Sequence, residues 1–291
     1  CWAEVTQLFG FRTINHKLEA GTIEIGSPAV YLRPGVKQIR KVRVFLPDPQ
    51  PQFPGVNVAL LPAILQTKKE QVEGHRWIEF CSEAEKDENV DYFVSLNSAG
   101  DYLILDTQKE PIKNLLFPIK VDEPEATKKL INRLIHVARY QSILDLDNED
   151  AFAPLNGKLK VELVKSVKRQ QVVVNTGGNV PVLEVGERVV LRIHNESNRT
   201  LNISALILQT DLSIVKFYPQ GVPYEVVDPG QYRETRFDIE LPENYQEGVD
   251  IIKVFATVEG TNFQLLELPA LDQSRKGVEH PEPKNALEQL L

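Results

Sequence analysis

The stretch Gly186–Pro219, GERVVLRIHNESNRTLNISALILQTDLSIVKFYP, decides the fold that we predict for this chain. On both sides of the polar turn NESNR, at residues 195–199, apolar residues recur at every second position. A period of two is typical of β-strands that bury one face. A second turn, at Thr210 and Asp211, leads into another apolar run that ends at Tyr218. The stretch therefore predicts three successive strands.

The same kind of pattern extends over residues 155–270, where alternating segments follow at residues 233–241 and 249–258. Turn signals separate these segments, for example Asp-Pro-Gly at residues 228–230. Short strands with turns at short intervals are typical of a two-sheet sandwich. We therefore predict an immunoglobulin-like β-sandwich over residues 155–270, and a polar, proline-bearing tail over residues 271–291.

Residues 56–154 show a mixed pattern, with strands predicted at residues 56–61, 91–96 and 102–105. One helix is predicted after Pro124, because apolar residues at helical spacing form a single stripe. The stripe consists of Leu130, Ile131, Leu134, Ile135 and Ala138, while Lys128, Lys129 and Arg133 are expected to face water. We expect this helix to cover one face of a small sheet.

Residues 1–55 predict a small β unit, with alternating segments at residues 22–27 and 38–46. The proline-rich segment DPQPQFPG, at residues 48–55, interrupts regular structure and is typical of a linker. The predicted fold class is thus mainly β with a small α/β part. It consists of a C-terminal immunoglobulin-like β-sandwich preceded by a small sheet with one packed helix.

Length and charge narrow the possible functions. A chain of 291 residues is long enough for about two domains. A net charge of -8 and a pI near 5.3 argue against nucleic acid and anionic membranes as partners, because both require a basic surface. The apolar runs are too short to cross a bilayer. Since the first residue is Cys1 and no Met is present, we expect an internal fragment or a processed product.

Cysteine usage bears on the compartment. Cys1 and Cys81 are too few for a disulfide-stapled secreted module, which favours a reducing, cytoplasmic location. Three closely spaced N-glycosylation sequons, which begin at Asn195, Asn198 and Asn202, point toward secretion instead. Because Asn, Ser and Thr also form turns, we give the sequons little weight.

The cysteines do not suggest catalysis. A cysteine nucleophile needs a base within hydrogen-bond reach. If HRWIEFC is a strand, the His75 and Cys81 side chains share a face but stand about 20 Å apart, at about 3.3 Å per residue. Cys1 lies in no recognisable motif, and the chain has no G-x-S-x-G nucleophile elbow. We therefore predict no catalytic residue in this chain.

Metal ligands are not suggested either. Asp145, Asp147, Glu149 and Asp150 resemble the opening of a calcium loop, but the glycine and the distal glutamate of that loop are missing. A polar turn that ends the preceding helix explains these residues more simply. His136 lies on the polar flank of the predicted helix, and we interpret it as a surface histidine. We expect no metal site and no cofactor.

Several segments, taken in order, resemble a known family. The run LINRLIHVARYQSILDLDNED precedes a break and the strand LKVEL, and ALILQTDLSIVKFYPQ, EVVDPGQ and DIIKVFATVEGTNFQLLELP follow. This series is similar to the region downstream of the peptidase domain in bacterial caspase-like proteins, including cyanobacterial orthocaspases, which carry an all-β domain near the C-terminus. The ending NALEQLL also resembles their tail. The resemblance covers residues 56–291.

The resemblance implies a role without catalysis. In that family, the peptidase domain uses a His-Cys dyad and cleaves after basic residues. Neither the His-Gly motif nor the Asp-x-Cys motif of that domain occurs in this chain. The resemblance therefore implies a regulatory or recognition region whose partner is a protein, either its own peptidase domain or another protein.

For such a role, we expect the turn after the first strand of the opening stretch to contact the partner. Its candidate interaction residues are Asn195, Glu196, Asn198 and Arg199, although turn formation explains them equally well. The alternative function is a stand-alone structural or adhesive β-sandwich protein of a secreted bacterial type. The sequons and the proline-rich linker would suit that alternative.

Overall fold

The computed structural model describes residues 39–46, 53, 57–72, 75–81, 86–146, 155–167, 170–174 and 180–273, together with the backbone of residues 3–9 and 12–17. The chain divides into two compact units, Cys1–Pro34 and Gly35–Leu291. In the first unit, β1 (Ala3–Phe9) and β2 (Arg12–Lys17) form an antiparallel hairpin. The strand predicted at residues 22–27 lies outside the described residues.

The α/β part of the second unit is a four-stranded sheet with two helices. Its elements are β3 (Arg40–Val44), α1 (Leu61–Lys69), β4 (Ile78–Phe80), β5 (Tyr92–Leu96), β6 (Tyr102–Leu105) and α2 (Ala126–Leu144). The strand order is β4-β3-β5-β6, with β4 and β5 parallel to β3 and with β6 antiparallel to β5. The structure thus places β3, which the sequence pattern assigned to the unit before the linker, in this sheet.

Helix α1 differs from the strand predicted at residues 56–61. A short 3-10 helix, Val58–Leu60, leads into α1, and a proline occupies the first turn of α1. Leu61, Leu65 and Lys69 are buried, and their spacing of four places them on one helix face. The continuous apolar run VALLPAIL resembles a buried strand in composition, which explains the wrong assignment.

Helix α2 has the predicted apolar stripe, and all five residues of that stripe are buried. The prediction that Arg133 faces water is wrong, because the residue is only 6% exposed. Arg133 donates to the carbonyl oxygen of Phe117 at 2.6 Å and pairs with the carboxylate of Asp272. A buried guanidinium is tolerated when its donors are satisfied in this way.

Two antiparallel sheets follow, as the sandwich prediction requires. The strands are β7 (Leu159–Val167), β8 (Gln170–Val173), β9 (Arg188–Asn195), β10 (Leu201–Leu208), β11 (Ile214–Tyr218), β12 (Glu225–Val227), β13 (Tyr232–Asp238) and β14 (Ile251–Thr257). One sheet has the order β13-β9-β7-β8. In the other, β10 pairs with β14 on one side and with β11 and β12 on the other. The fold is mainly β with a small α/β part, as predicted.

The three strands of the opening stretch are β9, β10 and β11, so their prediction is confirmed. They do not lie side by side in one sheet, however. Strand β9 belongs to the first sheet and β10 to the second, so the turn NESNR crosses between the two layers. Apolar side chains from both sheets meet in the sandwich core, with Leu191 and Ile193 on β9 and Leu201, Ile203 and Ala205 on β10.

The second face of β10 is also buried. Leu206 and Leu208 of β10 and Ile214 of β11 belong to the same apolar cluster as Ile131 and Leu134 of helix α2. Helix α2 therefore packs against the α/β sheet and against the outer side of the β10 sheet. Because it is covered by two layers, more of its circumference is buried than a single apolar stripe requires.

His136 contributes to this contact, which corrects its interpretation as a surface histidine. The residue is half-buried, and its Nε2 lies 2.8 Å from the carbonyl oxygen of Leu212 in the turn between β10 and β11. Burial lowers the pKa of His136 below its usual value of 6.5, while the bond to Leu212 acts in the opposite direction. The neutral imidazole is therefore favoured at neutral pH.

The end of α2 is fastened from two sides. Lys253 of β14 donates through Nζ to the carbonyl oxygens of Ile143, Leu144 and Leu146, at 3.2, 2.6 and 2.6 Å. A cation at a helix C-terminus satisfies orphan carbonyls and interacts favourably with the helix dipole. Arg40 of β3 pairs with Asp145 at 2.5 Å. We call helix α2, together with Arg40, Lys253 and Asp272, the α2 junction.

The predicted tail begins later than residue 271. Leu271 packs against the main apolar cluster, and Asp272 pairs with Arg133. The rest of the predicted tail lies outside the described residues. Within the part of the chain that the structure describes, neither helix has the length and hydropathy needed to span a membrane.

Candidate recognition surface

The histidine and cysteine weighed as a catalytic pair have separate surroundings. His75 lies in a short 3-10 helix, His75–Trp77, and its Nδ1 is 3.1 Å from the carbonyl oxygen of Val72. Cys81 follows β4 and packs against an apolar cluster of Val90, Phe93 and Leu105. Within HRWIEFC, only Ile78–Phe80 forms a strand. Cys1 lies outside the described residues.

The acidic segment weighed as a calcium loop is described only at its start. Asp145 pairs with Arg40 and caps α2, while Asp147, Glu149 and Asp150 lie outside the described residues. Among the residues with a described position, no group of three or more His, Cys, Asp or Glu side chains is arranged to hold a metal ion.

Asn195, the first predicted interaction residue, is buried at the end of β9, with 1% of its surface exposed. Its side-chain amide donates to the carbonyl oxygens of Arg199 and Val227, at 2.7 and 2.8 Å. Its side-chain oxygen accepts from the backbone N–H and the hydroxyl of Ser197, at 3.0 and 2.6 Å. Asn195 therefore shapes the turn from within and is not itself accessible to a partner.

The backbone of Asn195 fastens a second loop. Its N–H donates to the carbonyl oxygen of Gln231 at 2.9 Å, and its own carbonyl accepts from the N–H of Gly230 at 2.8 Å. The hydroxyl of Thr200 adds a bond of 2.9 Å to the carboxylate of Asp228. The turn at residues 195–200 and the turn at residues 228–231 are thus held together at one end of the sandwich.

A third loop joins this end. The N–H of Glu196 donates to the carbonyl oxygen of Lys158 at 2.8 Å, which ties residues 155–158 to the same place. We call these three loops, residues 155–158, 195–200 and 228–231, the loop end. Loops clustered at one end of a rigid sandwich are a common location for binding residues.

Glu196, Asn198 and Arg199 are exposed at the loop end, on the turn that Asn195 shapes. The structure therefore brings three of the four predicted interaction residues together at the surface. The structure also weakens the case for N-glycosylation at these sequons. Asn195 is buried, and Asn202 donates its amide to the carbonyl oxygen of Val258 at 2.9 Å. Of the three sequon asparagines, Asn198 alone is exposed.

The sheet next to the loop end carries charged and aromatic side chains on its outer side. Register places Lys160 of β7, His194 of β9 and Tyr232 of β13 in one row, and Glu162, Arg192 and Glu234 in the next row. We call these six residues, together with Arg188 and Asp238 farther along the sheet, the outer face. The rings of His194 and Tyr232 have centroids 5.3 Å apart, and Tyr232 is 51% exposed.

Ion pairs within one strand and between neighbouring strands neutralise much of the outer face. Arg192 pairs with Glu234 at 2.6 Å, and Lys160 pairs with Glu162 at 2.8 Å. The Lys160 ammonium, and less strongly His194, hold the pKa of Glu162 below its usual value of 4.5. Glu162 therefore remains ionised at neutral pH. With its charges paired, the outer face offers Tyr232 as an aromatic contact beside the loop end.

Sequence reasoning found the turn but missed Tyr232, Lys160 and His194. The signal that could have located them is strand pairing, which the sequence did not specify: only the register of β7, β9 and β13 brings the three side chains into one row.

Comparisons with known proteins do not identify a family for this chain. Neither a scan against protein-family models nor a search of curated proteins produced a match.

Proposed function

We propose that this chain is a non-catalytic regulatory or recognition region of a caspase-like cysteine peptidase, and that its loop end binds protein. We propose this parent protein because residues 56–291 resemble the region downstream of such peptidase domains. The partner is then the peptidase domain of the same protein or another protein. A cytoplasmic location accords with the small number of cysteines.

The observation that carries the binding role is the construction of the loop end. Asn195 uses its side chain and its backbone to hold two loops in place, so Glu196, Asn198 and Arg199 project from a preorganised turn. Preorganisation lowers the entropy lost on binding. Arg and Tyr are enriched among residues that dominate binding energy, and Arg199 and Tyr232 are the exposed examples here.

Sequencing the complete reading frame that encodes this chain tests the proposed parent protein. A His-Cys peptidase domain encoded upstream of Cys1 is the expected result, and its absence would exclude the parent. The non-catalytic role is tested by incubating the purified chain with Arg- and Lys-containing peptide substrates. We expect no hydrolysis. Hydrolysis that a Cys81→Ala substitution abolishes would contradict the proposal.

Binding is tested by titrating the chain with that peptidase domain in a calorimeter. We expect Arg199→Ala and Tyr232→Ala each to weaken binding about tenfold, since they remove the two side chains best suited to dominate the contact. Lys128→Ala is a matched control, because Lys128 is an exposed cation on helix α2, outside the loop end. Equal affinities for all four proteins would exclude the loop end as the binding surface.

A further inference from the structure

A groove of about 430 Å³ runs over helix α2 between two chain segments. One wall is formed by residues 117–119 and the other by residues 271–273. Its floor is formed by four side chains of α2, namely Lys129, Asn132, Arg133 and His136. The groove is part of the α2 junction and contains none of the loop-end residues.

Arg133 supplies the buried cation of this groove. Its side chain is 7% exposed, and one of its terminal nitrogens is fixed by the carbonyl oxygen of Phe117 at 2.6 Å. The other terminal nitrogen pairs with one carboxylate oxygen of Asp272, and Nε faces the second oxygen at 3.4 Å. A planar guanidinium held in this way is suited to two-pronged recognition of a carboxylate.

The carboxylate now on Arg133 belongs to a weakly attached segment. Asp272 has a φ of 62°, in the left-handed region that side chains with a Cβ rarely adopt. The segment is held by a bond from the N–H of Leu271 to the carbonyl oxygen of Asp211, at 3.0 Å, and by a local turn from Gln273 to Ala270. Residues 271–273, the part of this segment that the structure describes, make two backbone bonds, and the left-handed conformation of Asp272 costs free energy. We therefore expect this segment to be easier to displace than a paired strand.

The segment also shows what kind of ligand fits. Leu271 packs into the apolar cluster while the next residue, Asp272, bonds to Arg133. On the opposite rim, Phe117 is 62% exposed and offers an apolar contact that Leu271–Asp272 leaves largely open to solvent. Lys129 adds a second cation, paired with Glu123 at 2.9 Å. The groove thus combines a carboxylate receptor at Arg133 with one apolar wall, residues 117–119.

We propose that the Arg133 side of this groove is a binding site for a protein segment in which an apolar residue precedes an acidic residue, and that Leu271–Asp272, which now covers that side as a wall of the groove, is an internal competitor that the partner displaces. A partner segment would place its carboxylate on Arg133 and its apolar side chain where Leu271 now packs. An extended partner would avoid the left-handed backbone of Asp272 and would also cover Phe117. This site goes beyond the proposed function and does not depend on it.

The test uses a fluorescein-labelled peptide, LPALDQSR, which copies residues 268–275, and fluorescence anisotropy. Asp272→Asn weakens the internal competitor without changing its size. We expect the full chain with this substitution to bind the peptide at least about tenfold more tightly than the unsubstituted chain, because a charge-assisted bidentate contact becomes available. The same peptide with Asn in place of its Asp should bind about tenfold more weakly.

Control substitutions separate specific peptide recognition from a general loss of stability. Asp238→Asn removes the acidic partner of Arg188 in an exposed bidentate pair, and it should leave peptide binding unchanged. In the Asp272→Asn background, Arg133→Lys should weaken binding about tenfold, and Phe117→Ala should weaken it severalfold. Phe117 is exposed, so its removal reports on binding even if the change at Arg133 disturbs folding.

Three results would overturn the proposal. The first is equal binding by the unsubstituted chain and the Asp272→Asn chain, including no binding by either. The second is equal affinity of the Asp peptide and the Asn peptide. The third is an affinity unaffected by Phe117→Ala. None of these results bears on whether the loop end binds a peptidase domain, since the peptide assay contains no such domain.

Discussion

Arg–Asp ion pairs occur both at the α2 junction and on the outer face, but their surroundings differ. At the junction, the side chains of Arg40 and Arg133 are 8% and 7% exposed, and their partners Asp145 and Asp272 are 105 and 139 residues away in sequence. On the outer face, Arg188 is 71% exposed and pairs with Asp238 on the neighbouring strand. Burial and sequence separation distinguish the two regions.

The difference shows what each set of charges does. A buried ion needs its partner, because an unpaired charge in the interior is strongly unfavourable. The Arg40–Asp145 pair therefore holds helix α2 and β3 in one arrangement. At Arg133 a carboxylate partner is required, and in this arrangement Asp272 supplies it. Exposed pairs are solvated with or without a partner and contribute little. The ion pairs of the outer face keep that surface polar and match the register of its strands. They do not determine how the layers pack.

The largest expected effect is at Arg40. Arg40→Ala removes a buried cation and leaves Asp91 and Asp145 without it, which should lower the free energy of unfolding by about 3 kcal/mol. Urea unfolding followed by circular dichroism measures the change. Adding Asp145→Asn should recover part of the loss, because the abandoned carboxylate is then neutral. A loss of less than about 1 kcal/mol, similar to that at an exposed pair, would remove the distinction between the regions.

The next effect is at Lys253. Lys253→Ala removes a cation whose Nζ bonds to three carbonyl oxygens at the end of α2, and should cost about 2 kcal/mol. Thermal unfolding measures the loss, and hydrogen exchange should show faster exchange in the last turn of α2 than in its first turns. Uniform exchange along the helix would show that Lys253 does not secure this end.

A smaller effect depends on pH. Burial lowers the pKa of His136, so the unfolded chain binds a proton at a higher pH than the folded chain does. Stability should therefore fall as pH decreases below the usual histidine value of 6.5, and His136→Gln should reduce this slope. One group can change the slope by at most about 1.4 kcal/mol per pH unit.

Urea midpoints between pH 7 and pH 5 test the prediction for His136. Arg139, Asp211 and Asp272 are the charged groups around the imidazole, and they are unchanged in both proteins. Parallel slopes for the two proteins would mean that His136 titrates equally in the folded and the unfolded chain.

The smallest effect is expected on the outer face. Arg188→Ala should lower the free energy of unfolding only slightly, and much less than Lys253→Ala does, because both members of its pair are exposed. The difference should shrink further in 1 M NaCl, where surface charges are screened. Urea unfolding at two salt concentrations provides the measurement. A loss as large as that at Lys253 would contradict the contrast between the two regions.

The sequence predicted those elements whose period is unambiguous. Strands β9, β10 and β11 alternate clearly, and α2 has a single apolar stripe. Helix α1 was missed because an uninterrupted apolar run carries no period, although buried Leu61, Leu65 and Lys69 are spaced as a helix requires. The burial of Arg133 could not be predicted, since it depends on Asp272 from the far end of the unit.

The candidate surface was predicted in part. A turn rich in Asn and Ser located Glu196, Asn198 and Arg199 correctly at the surface. It did not show that Asn195 is internal, because that follows from contacts with Val227 at the end of β12 and with Gln231 in the next loop. Long-range pairing, which sets these contacts, is not encoded in local spacing.

The packing of helix α2 against β10 limits how this region can be inherited or expressed in parts. A chain that began at Leu155 would contain every strand of the sandwich but would lack the α2 residues that share an apolar cluster with Leu206, Leu208 and Ile214, so part of that cluster would be exposed. An apolar surface of that kind promotes aggregation. Recombination that moved the sandwich into another protein would therefore need to carry α2 with it. The heritable module is the sandwich together with its helix.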